Sequence, residues 1–205
     1  MMTKTIELIF DFVSPNAYFA YYLLKDIAAK HEASIEITPV FLAGMHKLTG
    51  NAPPFIRDGE VKGKNEYAML EMTRFIAKHG MTKWKMNPKF PFNSVTLQRV
   101  LCAVGNEERI TLLDSLLPAI WEDGVDATDA AAIAPVLAKA GFDAANLLAK
   151  TQAPSVKQIL MDNTDKAVER GAFGIPTFYV DTGEGAEMFF GKERLGQIDD
   201  LLAQG

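Results

Sequence analysis

The sequence predicts an α/β fold in which strands occupy the two ends of the chain and a long helical block separates them. Three observations carry that expectation. Strand-like segments occur only before residue 42 and after residue 170. Between them, residues 64–170 show helical spacing broken by Gly and Pro, with no convincing strand. The first segments run strand, helix, strand within about forty residues, which is the pattern of a βαβ unit with a right-handed crossover.

Residues 5–12 open the chain as a buried strand, with Ile6, Leu8, Ile9, Phe10 and Phe12 supplying apolar, β-favouring side chains. A helix follows, because Ala20, Leu23, Leu24 and Ile27 fall on one face of the segment 17–30. Residues 34–41 alternate and then end apolar, reading as the second strand. Residues 42–63, rich in Gly, Asn and Pro, read as a loop. Helices are then expected at 64–79, 93–105, 107–122, 129–140, 143–150 and 155–170. Pro118 and Pro135 fall inside two of these and predict a kink or a restart. Strand signals return at 176–181 and 186–190, joined by a hairpin turn at Gly183-Glu184-Gly185. A helix over 193–203 ends the pattern. The order βαβ, helices, ββα is that of a thioredoxin-like core with a large all-helical insertion. Residues 1–42 and 171–205 form the core in this reading, and 43–170 form the insertion.

The chain has 205 residues and is 48% hydrophobic, enough for a substantial core. A net charge of −5 argues against a nucleic-acid or anionic-membrane partner. No run of about 18 apolar residues occurs, and Met1-Met2-Thr3-Lys4-Thr5 lacks the apolar core of a signal peptide. A soluble, cytoplasmic protein is therefore expected. Cys102 is the only cysteine, so no intrachain disulfide and no Cys-x-x-Cys pair can form; its apolar neighbours mark it as a small buried hydrophobe. With that one Cys and three scattered His, no metal-ligand spacing appears.

The chemistry-bearing stretch is Asp11-Phe12-Val13-Ser14-Pro15, where the first strand turns into the first helix. Pro15 suits the first helical position, and Ser14 is then the N-cap, its hydroxyl beside unpaired backbone N–H groups at the positive end of the helix dipole. A thiolate is stabilised in such a place. Near the other end, Gly174-Ile175-Pro176-Thr177 puts a proline at a strand entry, where a cis bond is tolerated and Ile175 offers its backbone to an extended ligand.

These residues resemble the 2-hydroxychromene-2-carboxylate isomerases and the kappa-class glutathione transferases, which share a fold related to the DsbA-type oxidoreductases. The resemblance covers about residues 5–203. It rests on the Ser14 motif, Gly50-Asn51-Ala52-Pro53-Pro54, Lys64 with Tyr67, Glu71 and Arg74, and Phe90-Pro91-Phe92-Asn93-Ser94. The stretches Trp121 to Asp126, Gly171 to Thr177 and Phe190 to Leu195 complete it.

The resemblance implies a DsbA-type fold, glutathione as cofactor and a homodimer. Ser14 would hold the glutathione sulfur as thiolate, with Ile175 and Pro176 pairing with the cysteinyl unit. Asn51 and Lys64 would hold the peptide, Lys64 suiting the glycine carboxylate. Glu193, with Arg194 beside it, would take the γ-glutamyl end. The family usually has Ser-Asp-Arg or Gln-Asp-Arg where this chain has Lys192-Glu193-Arg194, and Asn16-Ala17 replaces its more usual Tyr-Ser. Tyr67 and Trp84 are candidates for lining the substrate side, Trp84 within an aromatic, Pro-rich loop that either walls a pocket or packs beneath the helices.

Three functions fit these residues. One is an isomerase that recycles glutathione as a nucleophile toward an unsaturated aromatic 2-oxo acid or its cyclic hemiketal. The second is a kappa-like transferase or peroxidase that consumes glutathione. The third is a binding protein on a DsbA-type scaffold. Disulfide exchange through a cysteine pair is excluded by the single Cys102.

Overall fold

The computed structural model describes residues 4–204; the part of the N-terminal reading that concerns Met1, Met2 and Thr3 lies outside them. Four strands form one sheet: β1 (Thr5–Phe10), β2 (Ser34–Pro39), β3 (Thr177–Asp181) and β4 (Ala186–Phe190). Their order is β2-β1-β3-β4, with β1 parallel to β2 and antiparallel to β3, and β3 antiparallel to β4. The parallel pair is linked by α1 (Pro15–Lys30), as a βαβ unit requires. The chain thus has the α/β, thioredoxin-like architecture expected of it.

Ten α-helices are present among the described residues. After α1 come α2 (Leu42–Thr49), α3 (Pro54–Arg57), α4 (Lys64–Lys78), α5 (Val95–Cys102), α6 (Asn106–Trp121), α7 (Ala130–Lys139), α8 (Ala144–Lys150), α9 (Pro154–Glu169) and α10 (Leu195–Gln204). A 3-10 turn, Lys192–Arg194, precedes α10 where the sequence suggested that the last helix was already under way. Pro118 and Pro135 lie inside α6 and α7 without interrupting either helix.

Two differences from the sequence reading matter for the site. The first strand stops at Phe10 rather than Phe12, and the loop expected at 42–63 contains α2 and α3. Buried polar side chains set the strand ends and the start of α2. The carbonyls of Phe10 and Val40, where the two parallel strands end, are held by the buried Gln98 side chain at 2.6 and 2.8 Å. Its oxygen accepts from Phe12 N–H at 3.4 Å. The Asp11 carboxylate, wholly buried, accepts from Leu42 N–H at 2.8 Å and starts α2 from outside, where the local N-cap, Phe41, has nothing to offer.

A continuous core joins the sheet to the helices. Ile6, Leu8 and Phe178 on the strands pack with Phe19 and Leu24 of α1, and the cluster runs on through Leu116 and Trp121 of α6 to Leu137 of α7. Each such fully buried side chain contributes about 1.5–3 kcal/mol. Cys102 lies in a small satellite cluster with Val156 and Leu160, and burial pushes its thiol up to about 11. No helix among the described residues is long and apolar enough to cross a membrane, and no group of three or more potential metal ligands occurs among them.

Candidate active site

Ser14 caps α1 with extended backbone (φ −87°, ψ 113°), and Pro15 takes the first helical position. Its hydroxyl oxygen accepts from Ala17 N–H at 3.3 Å, and the hydroxyl donates to the Ile175 carbonyl, also at 3.3 Å. The Ile175-Pro176 peptide bond is cis, as is Phe90-Pro91. The Ile175 carbonyl is therefore not free, as the sequence reading had it, because the Ser14 hydroxyl occupies it. The Ile175 N–H has no hydrogen-bond partner among the described residues.

Two arms join this centre. The first comes from α2, which ends at Gly50 in left-handed conformation (φ 69°) and hands the chain to Asn51. The Asn51 amide donates to the Phe173 carbonyl at 2.7 Å, tying this arm to the loop that leads into Ile175. Arg57 reaches the Asn51 oxygen at 3.4 Å while its guanidinium spans both oxygens of Asp58 at 3.0 Å. Lys64, the first residue of α4, pairs with the same Asp58 at 2.9 Å. Arg57 and Lys64 together hold the Asp58 carboxyl well below the usual carboxylate range. The result is two cations sharing one carboxylate beside Asn51, a net positive group suited to an anionic ligand end. Sequence reasoning found Asn51 and Lys64 but missed Arg57 and Asp58, which carry no pattern beyond being adjacent opposite charges.

The second arm comes from the end of β4. Gly191 N–H donates to the Pro176 carbonyl at 2.9 Å, and its φ of 90° is a conformation that glycine adopts without strain. Lys192 follows, buried at 8% exposure, its ammonium 4.9 Å from the centre of the Phe75 ring and paired with the Glu193 carboxylate. Glu193 itself is exposed, so the carboxylate assigned to a ligand ammonium already has a cation beside it. Arg194 is exposed, and its backbone N–H donates to the Gly191 carbonyl.

The two candidate substrate residues lie apart from one another in character. Tyr67 is 58% exposed on α4, a helix with no buried residue, where Glu71 and Arg74 bond to each other at 2.6 Å. Trp84 packs inward, 5.1 Å from Phe19 and stacked at 6.0 Å on Trp121. Phe90 and Phe92 close on the same Trp121, whose ring N–H donates to the Phe12 carbonyl at 3.2 Å. Much of the aromatic loop is thus packing that braces the segment two residues before Ser14.

A thioredoxin-type sheet that meets a helix N-cap beside a cis-proline loop defines the thioredoxin-like class, here with Ser14 at the cap. The chain belongs to the DSBA-like thioredoxin domain family, whose pattern matches residues 5–203. It is 28% identical over 204 residues to a 2-hydroxychromene-2-carboxylate isomerase of Sphingobium xenophagum, covering 98% of this chain and 99% of that protein. It is 27% identical over 212 residues to human glutathione S-transferase kappa 1, covering 99% and 92%. Among solved structures, a 2-hydroxychromene-2-carboxylate isomerase superposes with a TM-score of 0.83 at 23% identity, covering 98% of this chain and 95% of that one. Its relatives are thus isomerases and glutathione transferases that match it end to end.

Proposed function

We propose that the protein is a glutathione-dependent isomerase of the 2-hydroxychromene-2-carboxylate isomerase type. The observation that carries this reading is the Ser14 hydroxyl, capping α1 and facing the Ile175 loop in a chain without a cysteine pair. The residues fit glutathione on grounds of their own chemistry. Ser14 offers a rotatable O–H donor at a helix N-terminus, which favours an anion over its neutral form. Ile175 offers an N–H, without a partner among the described residues, for the peptide backbone of an extended ligand. Asn51, Arg57 and Lys64 supply donors for a carboxylate end, and Glu193 with Arg194 an acceptor and a cation for the γ-glutamyl end.

Bound there, glutathione would supply a recyclable thiolate nucleophile for isomerising an unsaturated substrate. Ser14 turns its hydroxyl from the Ile175 carbonyl toward the sulfur and keeps the proton off it. Ile175 and Pro176 would hold the peptide backbone beside the N-terminus of α1. The same constellation supports the second reading, a kappa-like transferase, in which glutathione is consumed. A cytoplasmic homodimer accompanies either reading.

Calorimetric titration of glutathione and S-methylglutathione into wild-type and Ser14→Ala protein, with ultraviolet detection of the bound thiolate across pH, tests the proposal. It predicts binding of both ligands and a thiol ionising well below its solution value only when Ser14 is present. Turnover of an unsaturated aromatic 2-oxo acid without loss of glutathione selects isomerase; loss of glutathione selects transferase. If neither ligand binds, the glutathione chemistry is wrong and a non-catalytic binding protein takes its place.

A further inference from the structure

Asp11 is the one acidic side chain among the described residues that is wholly buried, and none of the chemistry above uses it. Its two oxygens serve different segments. Oδ1 accepts from Val13 N–H at 3.1 Å, within the turn that leads to Ser14, and Oδ2 accepts from Leu42 N–H at 2.8 Å, at the first residue of α2. Its backbone carbonyl accepts from Ser14 N–H at 3.2 Å. One residue therefore holds the turn carrying the proposed nucleophile-binding hydroxyl and the helix that ends at Gly50-Asn51. A carboxylate at this position serves both amides because it is acceptor-only; a protonated carboxyl or an amide would present a donor to one of them.

We propose that Asp11 is a positioning residue, whose ionised carboxylate sets the Ser14 turn against α2 and whose protonation, with the carboxyl still buried, weakens its hold on the Val13 and Leu42 amides. The proposal rests on the glutathione reading of Ser14 for its consequence, though the tie itself does not. The carboxyl titrates where such a switch is useful. Burial raises it from 3.8 to about 6, while the Ser94 hydroxyl and the amides of Leu42 and Val13 draw it down. No charged side chain contributes: Val13 faces it from the turn, Leu42 from α2 and Ser94 from the start of α5. On α2, Lys47 is exposed, and His46, one turn along from Leu42, is lowered from its ordinary value by burial and by Arg57.

The test is a pH titration of the ligand-free protein by NMR, following the Asp11 carboxyl carbon and the amides of Val13, Ser14 and Leu42. The proposal expects all four to move together with a midpoint near pH 6. Ser94→Ala, which removes one hydrogen bond to the charged form, shifts that common midpoint upward and leaves the His46 ring midpoint in place; Asp11→Asn abolishes it. S-methylglutathione, which has no thiol to titrate, then binds about tenfold more weakly at pH 5 than at pH 7 in wild type, and with no such loss in Asp11→Asn. An Asp11 midpoint near the ordinary carboxylate value overturns the proposal. So does a Ser14 amide that does not follow Leu42, a midpoint unmoved by Ser94→Ala, or S-methylglutathione binding that is independent of pH. Failure of the wild-type protein to bind S-methylglutathione at any pH overturns the glutathione reading instead, and the ligand-free titration still decides the tie.

Discussion

The Ser14 hydroxyl donates to the Ile175 carbonyl at 3.3 Å, closing a contact between residues 161 positions apart. Through it the N-terminus of α1 is tied to the loop before β3. Ser14 also caps its own helix, so its substitution has a structural and a chemical effect that separate cleanly.

Ser14→Ala costs about 1 kcal/mol of stability, the usual worth of an N-cap hydroxyl, measurable as a small fall in the urea midpoint. Ser14→Cys places a thiol at the same helix terminus, where its pKa falls below the free value of about 8.5. That variant reacts rapidly with an aromatic disulfide reagent at neutral pH. Wild type reacts slowly, because its one thiol, Cys102, is buried and pushed up to about 11. Equal rates in the two proteins contradict this.

Gln98→Ala removes two donated hydrogen bonds and one accepted one from the point where both parallel strands leave the sheet. The Phe10 carbonyl keeps the Val40 N–H at 3.0 Å, so two buried backbone groups, the Val40 carbonyl and the Phe12 N–H, are left unpaired and the expected loss is about 2 kcal/mol. Thermal melts of Gln98→Ala against the exposed Gln197→Ala provide the comparison; a fall no greater than that of the control refutes it.

Asp11 gives stability a defined pH slope. Its native pKa, about 6, exceeds the unfolded value near 3.8, so the folded state binds more protons between them. Its contribution is therefore greatest below pH 4, falls by roughly 3 kcal/mol as pH rises through 6, and is flat above about 7. Urea unfolding of wild type against Asp11→Asn across this range isolates the slope, since the exposed carboxylates are common to both. A difference that does not vary with pH counts against the buried ionised state.

Asn51→Ala unties the α2 arm from the Phe173 carbonyl. The contact is exposed, so stability changes by about 1 kcal/mol or less. Amide exchange in the Phe173 to Ile175 loop quickens, and affinity for S-methylglutathione falls. Unchanged exchange there means that the loop is held by β3 and β4 alone.

Much of the fold was legible because its signals are local. The strands announce themselves in β-branched and aromatic runs such as Thr5–Phe10 and Thr177–Asp181. The six helices of the middle block follow apolar spacing, and two of them, α7 and α9, stop just before Gly141 and Gly171, whose positive φ suits a stop. Ser14 was legible for the same reason: Ser-Pro between a strand and a helix is a cap by local chemistry alone.

What escaped is held by partners distant in the chain. Nothing within 42–49 promises a helix, with Gly44 inside it, Met45 as its one buried residue and a cap without a hydroxyl or carboxylate. It forms because Asp11, 31 positions earlier, caps it. Gln98 is an unremarkable polar residue in its helix until the sheet brings Phe10, Phe12 and Val40 to it. Lys192 reads as a surface lysine beside a glutamate, and only packing against Phe75 makes it a buried cation. The linear chain thus sets the order of its elements and the identity of the capping serine, because propensity, periodicity and capping act within a few residues. The start of α2, the occupancy of the Ile175 carbonyl and the sharing of Asp58 by Arg57 and Lys64 belong to the folded state, because a buried polar group takes whatever partner the packing delivers.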